Sequence, residues 1–234
     1  MDLELIKKQP LSQDIISFYF HKLPGIRYNA GEFIEISLEL PKPDERGNRH
    51  WFTLSSSPTE KSLAITTRFP EGMSTFKKGL KKLKLGTKIQ ISPPMGDFIL
   101  PRNNRRQMIF VAGGIGITPF RSILKFIYDT RDSRNIKLVY AARTEDDFIF
   151  IDLFKKVPGL ELIQLVSEPS KTWTGASGKL DISNIDKLAG GLKNKLVYFS
   201  GPEPMVEKLD KDLKKHGHPD NLIKTDFFPG YTNI

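Results

Sequence analysis

The period of the apolar pattern changes once along this chain, near residue 101, and the change restricts it to two differently built halves. Before that point, residues 15–20, 32–38 and 63–68 have strand composition or alternation. Between and around them lie the turn-forming groups Pro24-Gly25, Pro41-Lys42-Pro43-Asp44, Pro70-Glu71-Gly72 and Pro93-Pro94. Several short strands at this spacing predict a small antiparallel barrel or sandwich. One helix interrupts them: Ser74 can cap it, and Phe76, Leu80 and Leu83 fall on one face.

From about residue 106 strand and helix patterns alternate. Met108-Ile109-Phe110-Val111-Ala112 is a continuous apolar run, as expected of a strand covered on both faces. Thr118-Pro119 predicts a helix start, with Thr at the cap and Pro in the first turn. Its apolar stripe is Phe120, Ile123, Leu124 and Ile127. Further strands are expected at 138–141, 160–165, 196–199 and 222–225, with helices near 146–156, 182–189 and 204–215. This is the pattern of a doubly wound α/β domain with a five-stranded parallel sheet. The polar turn Pro101-Arg102-Asn103-Asn104 separates the halves, giving expected domains of 1–102 and 103–234.

Cysteine is absent. Disulfide frameworks, zinc–thiolate sites and cysteine-ligated iron–sulfur clusters are therefore excluded within these residues. Redox chemistry here needs an organic cofactor or a metal held by other ligands. His21, His50, His216 and His218 form no metal spacing, and the last two read as polar caps at a helix end. The net charge of +9 is shared almost evenly between the halves, which suits anionic cofactors or an acidic protein partner. Nucleic-acid binding would need a concentrated patch with a reading element, and none is visible. The densest basic group, Lys77, Lys78, Lys81, Lys82, Lys84 and Lys88, reads as a solvated face or as a docking surface for an acidic partner. No apolar run approaches the ~20 residues of a membrane span, and no signal peptide is evident. A cytoplasmic protein without an integral membrane anchor is expected.

Two loops point to nucleotide chemistry. Gly113-Gly114-Ile115-Gly116-Ile117-Thr118-Pro119 leaves a buried strand and opens a helix, where backbone N–H groups and the helix dipole favour a pyrophosphate. Close strand–helix packing is the competing reason for those glycines, and no Gly-Lys-Ser/Thr follows to make a P-loop. Ser200-Gly201-Pro202-Glu203-Pro204-Met205 occupies the carboxyl end of a later strand, and a second tight turn there can close over the same ligand.

With these segments in order, the chain resembles the ferredoxin–NADP reductase-like family of flavoproteins over nearly its full length. Arg49-His50-Trp51-Phe52-Thr53-Leu54-Ser55-Ser56-Ser57-Pro58 resembles the family's flavin motif, Arg-x-Tyr/Phe-Ser/Thr followed by a Ser-Pro turn. Gly72-Met73-Ser74-Thr75 is similar to its flavin pyrophosphate loop, and Pro94-Met95-Gly96-Asp97-Phe98 to its barrel closure. Residues 113–119 correspond to the nicotinamide-side glycine loop, and Gly201-Pro202 with Met205 to the Cys-Gly-Pro-x-x-Met turn. Trp173-Thr174-Gly175 with Gly178 is similar to a further family loop.

The resemblance implies an N-terminal antiparallel Greek-key β-barrel that binds FAD, in preference to FMN, and an α/β domain that binds NAD(P)H. Phe52 would lie against the isoalloxazine, and the Thr53 hydroxyl near flavin N5. Gly72, Met73, Ser74 and Thr75 would hold the pyrophosphate; Thr66, Thr67 and Arg68 would line the flavin. Gly113, Gly114, Ile115, Gly116, Thr118, Pro119, Gly201, Pro202 and Met205 would hold the dinucleotide. Arg143 would meet a 2′-phosphate or stack on adenine, whereas Glu168 disfavours a phosphate nearby, so NADH and NADPH both stay open. Phe228 or Tyr231 would cover the flavin face until nicotinamide docks. Two departures stand out: the motif arginine falls on His50, with Arg49 beside it, and the family cysteine near nicotinamide is Ser200. The implied activity is transfer of hydride from NAD(P)H to FAD and of electrons onward to a separate acceptor, such as a ferredoxin- or flavodoxin-like protein. A flavin-binding sensor with weak turnover, or a reductase of free flavin or ferric iron, are the rival readings.

Overall fold

The computed structural model describes residues 1–103 and 106–228. The chain divides into two compact units, Met1–Ile99 and Leu100–Ile234.

The first unit contains β1 (Asp2–Pro10), β2 (Ile15–His21), β3 (Phe33–Ser37), β4 (Arg49–Thr53), β5 (Ser62–Arg68) and β6 (Lys88–Ile91). Their order is β4-β3-β6-β1-β2-β5, with every neighbouring pair antiparallel. An isolated antiparallel bridge between Leu54 and Ile65 joins the two ends of the order into a Greek-key barrel. β1 and β6 add to the strands evident in sequence. In β1 the apolar alternation lasts only from Leu3 to Leu5 before a register shift between Leu5 and Lys7. β6 alternates Lys88, Ile89, Gln90 and Ile91 over just four residues. The barrel interior is filled by Leu3, Leu5, Phe18, Phe20, Ile34, Ile36, Leu63 and Ile65. Helix α1 (Thr75–Lys82) adds Phe76 and Leu80 to this core. Each such side chain contributes about 1.5–3 kcal/mol by leaving water. Ser74 caps α1, its Oγ accepting from the Lys77 N–H at 3.1 Å.

The second unit contains β7 (Met108–Gly113), β8 (Ile136–Ala142), β9 (Leu160–Val166), β10 (Ala176–Ser177), β11 (Leu196–Pro202) and β12 (Ile223–Phe228). All are parallel, in the order β10-β9-β8-β7-β11-β12. The five strands expected from sequence are present, and two-residue β10 extends the sheet beyond β9. β7 is buried along its whole length, as its unbroken apolar run requires. The helices are α2 (Ile117–Thr130), α3 (Ile151–Phe154), α4 (Ile182–Ala189) and α5 (Glu203–Lys215). Thr118 is not the cap of α2. The helix starts at Ile117 from a 3-10 turn, Gly114–Gly116, with Gly116 at the cap position, and Thr118 Oγ1 donates to the Ile115 carbonyl at 3.2 Å. The expected helix near 146–156 reduces to four residues, because Phe150 takes a left-handed φ of 66° and bars any earlier start. β8 and β9 lie to one side of β7, and β11 and β12 to the other, so the sheet's switch point lies between the carboxyl ends of β7 and β11.

Candidate functional site

In the barrel unit, chemistry gathers at the amino end of α1. Across β3 and β4, Ile34 pairs with Phe52 and Ile36 with His50, so His50 and Phe52 share the face of two fully buried isoleucines. Arg49 and Trp51 point the other way: Arg49 Nη1 lies 3.6 Å from Glu35 Oε1, and Trp51 Nε1 donates to Glu35 Oε2 at 3.3 Å. Arg49 therefore does not stand in for the motif arginine at position 50, because the pleat carries it to the opposite face. Trp51 is 63% exposed, whereas Phe52 and Thr53 are buried. The His50 ring lies 4.3 Å from Phe76, and Phe52 stacks on the same ring at 5.9 Å. His50 Nε2 is buried with no hydrogen-bond partner among the described residues.

Around His50 the cations converge. Lys77, in the first turn of α1, donates from Nζ to the Arg68 carbonyl at 2.8 Å. It is half-buried, which sets it apart from the solvated lysine face expected from sequence. Arg68 Nε lies 3.2 Å from Asp14 Oδ2. The β3–β4 loop brings in Asp44, whose Oδ2 accepts from the Thr75 N–H at 2.8 Å and whose own N–H donates to Thr75 Oγ1 at 2.9 Å. The same Oδ2 pairs with Arg46 Nη2 at 2.9 Å. Burial, then repulsion from Arg46 and Arg68, pushes Lys77 down to about 7 against the opposing pull of Asp14. His50 is lowered by burial first, then by Lys77 and Arg46, with Asp44 opposing. Cations are stabilised at the carboxyl end of a helix and disfavoured at the amino end. Arg46, Arg68, Lys77 and His50 thus gather near the start of α1 with two carboxylates, Asp14 and Asp44, against them.

Other expected barrel residues hold structure. Thr66 Oγ1 is engaged by Ser17 Oγ at 2.7 Å and Ser55 Oγ at 2.9 Å in a buried hydroxyl chain. Thr67 is buried beside it on β5, and Met73 packs against the barrel core. Gly72 has φ of 69°, a left-handed turn before the cap. Gly96 has no space for a side chain, since a Cβ would meet the Phe33 ring at 3.0 Å.

In the second unit, two turns interlock at the switch point. A Cβ on Gly116 would collide with the Ser200 carbonyl and reach Gly201 Cα at 2.6 Å. One on Gly201 would reach Met205 Cε at 2.6 Å. The third glycine of the loop thus serves packing, while Gly114, at φ of 51°, turns the chain after β7. Ile115, Thr118 and Pro119 are buried behind the loop, and Pro202 ends β11. Ser200 is fully buried, its Oγ 3.5 Å from Asp226 Oδ2 on the neighbouring strand β12. Sequence reading misses Asp226, because only the β11–β12 register puts it opposite Ser200. Arg143 is exposed just past β8, and its carbonyl accepts from the Glu168 N–H at 2.9 Å, so these opposed charges sit on adjoining strand ends. Trp173 donates to the Ala176 carbonyl at 3.0 Å and stacks on Phe148 at 6.1 Å, a second residue sequence reading does not single out. Phe228 ends β12, its side chain outside the described set; Tyr231 lies outside the described residues. Among the described residues no helix is long and apolar enough to cross a membrane.

The family described as oxidoreductase NAD-binding domain matches residues 110–211. The chain is 26% identical over 225 residues to the reductase subunit Stc4 of stachydrine N-demethylase from Rhizobium meliloti, covering 92% of this chain and 63% of that one. It is 24% identical over 242 residues to flavohemoprotein A of Dictyostelium discoideum, covering 97% of this chain and 60% of that one. The chain thus spans about three fifths of the length of these curated relatives. A ferredoxin–NADP+ reductase from Neisseria gonorrhoeae, solved with FAD and NADP, superposes with a TM-score of 0.80 at 17% identity, over 97% of this chain and 98% of that one. A cytochrome P450 reductase of Amycolatopsis gives 0.82 at 19% identity, over 97% and 70%. An antiparallel Greek-key barrel followed by a switch-point parallel sheet is the fold shared with these solved reductases, and the match to the oxidoreductase NAD-binding domain lies inside the sheet unit.

Proposed function

We propose that this protein takes hydride from NAD(P)H onto FAD and passes electrons singly to a separate acceptor. The observation that carries the reading is one chain joining a barrel with Arg46, Lys77 and His50 gathered at a helix amino end to a sheet with two interlocked turns at its switch point. When bound, FAD supplies the chemistry of accepting two electrons and releasing them one at a time. The protein's part is to hold and align.

His50, Lys77 and the start of α1 would hold the flavin diphosphate, with Ser74 fixing the helix start and keeping its own O–H proton to donate. Thr53 would offer its hydroxyl at flavin N5. Phe52, backed by Phe76, would limit how deep the ring sits. On the sheet, Gly113, Gly114 and the interlocked Gly201-Pro202 turn would receive the NAD(P)H phosphates at the strand ends. Ser200, held between β7 and β12, would pack beside the nicotinamide. Arg143 would meet the adenosine end, with Glu168 setting the balance between NADH and NADPH. Reductase subunits of multicomponent oxygenases recur among the relatives, which supports a protein acceptor. The basic charge favours an acidic one, and we place the protein in the cytoplasm.

The test is the visible spectrum of purified protein, followed by NADH- and NADPH-dependent reduction of ferricyanide. A yellow protein that turns over with one dinucleotide is expected, and Thr53→Ala should slow it about 10- to 100-fold. Colourless protein that consumes added flavin as a substrate would replace this reading with free-flavin reduction.

A further inference from the structure

The His50 departure raises the question of which guanidinium meets the cofactor diphosphate, and the fold answers with a residue from outside the motif. We propose that Arg46, delivered by the β3–β4 loop, is the phosphate arginine of this flavin site, and that Asp44 positions it there. The inference rests on the flavin reading above.

Strand β4 cannot supply the group: position 50 is a histidine, and Arg49 is turned to the opposite face against Glu35. Arg68 is engaged with Asp14, at the end where β2 pairs with β5. Arg46 is tied to the amino end of α1 through one carboxylate. Asp44 Oδ2 binds both the Thr75 N–H at 2.8 Å and Arg46 Nη2 at 2.9 Å. The Asp44 N–H to Thr75 Oγ1 bond and the Gly47 N–H to Asp44 carbonyl bond, both at 2.9 Å, fix that loop to the helix start. Arg46 is near enough to Lys77 and His50 to lower the affinity of each for a proton. Its side chain is 47% exposed, so it can meet a ligand without leaving a buried position. An ion pair from guanidinium to carboxylate leaves the other N–H groups of the planar fork to bind phosphate oxygens. His50, with Nε2 buried against Phe76 and without a partner among the described residues, adds a single donor where the motif has a fork.

The experiment is titration of the flavin-free full chain with FAD and, separately, with riboflavin, which has the ring and no phosphate, followed by fluorescence quenching. Arg46→Gln should weaken FAD about 10- to 100-fold, the scale of a lost charge-assisted pair, and change riboflavin less than twofold. Lys82→Gln removes the same charge at the far end of α1 and should leave FAD affinity within twofold. Equal FAD affinity of Arg46→Gln and the unaltered protein would overturn the inference while leaving the flavin reading standing. Equal weakening of FAD and riboflavin would also overturn it, since the effect would then lie in the ring site or the fold. Failure of the unaltered protein to bind FAD at all would sink the flavin reading itself.

Discussion

Lys77 shows how one residue links the fold to the site. Its proton is held in the folded protein with a pKa of about 7 against 10.5 in an open chain, chiefly because it is buried and then because Arg46 and Arg68 face it. Between those values the unfolded chain binds more protons than the folded one, so stability rises with pH there. The penalty is present in full below about pH 7 and is relieved as pH climbs toward 10.5. Urea unfolding of flavin-free protein at pH 6, 8 and 10 should show this rise, and Lys77→Met should flatten it; an identical profile in the variant would contradict the assignment. Ser74→Ala should cost about 1 kcal/mol by removing the α1 cap, read as a lower urea midpoint. Ser74 and the Gly113–Gly116 loop are legible in sequence, because cap and loop chemistry act between near neighbours. Arg46 and Asp226 are not. One depends on Asp44 reaching Thr75 across 31 residues, the other on the pairing of β11 with β12.

Among the elements, legibility follows length and repetition. α5 and β7 declare themselves, one by a repeated apolar face over thirteen residues and the other by an unbroken apolar run. β1 and β6 do not, since each shows only two inward residues before its pattern ends. β1 still matters: it lies between β6 and β2 and buries Leu3 and Leu5 completely. Leu5→Ala should therefore cost about 2–5 kcal/mol, measured by chemical unfolding of the isolated variant. At the sheet's switch point, Gly116→Ala drives a methyl into the Ser200 carbonyl. Backbone cannot move aside as a side-chain tip can, so a loss of about 1–3 kcal/mol or more is expected. NAD(P)H affinity should fall with it, because the Gly113–Gly116 loop and the Gly201-Pro202 turn shift together. Retention of both stability and affinity would show that the two turns are not interlocked.

For the whole molecule, the order of motifs carried more than any one of them. A glycine-rich loop alone is ambiguous, and here Gly116 proves to serve packing. The barrel before it and the parallel sheet around it are what tie the chain to the fold of the solved reductases. On the proposed reading the cofactors carry the chemistry and the chain holds two compounds in place, a task that needs no catalytic triad or carboxylate pair. The most direct measurement is anaerobic stopped-flow mixing of the FAD-loaded protein with NADH and with NADPH, following the visible flavin band. The account predicts that at least one dinucleotide bleaches the band in a single turnover at a rate that saturates with its concentration. A band unchanged by both, in protein shown by calorimetry to bind FAD and dinucleotide, would contradict it.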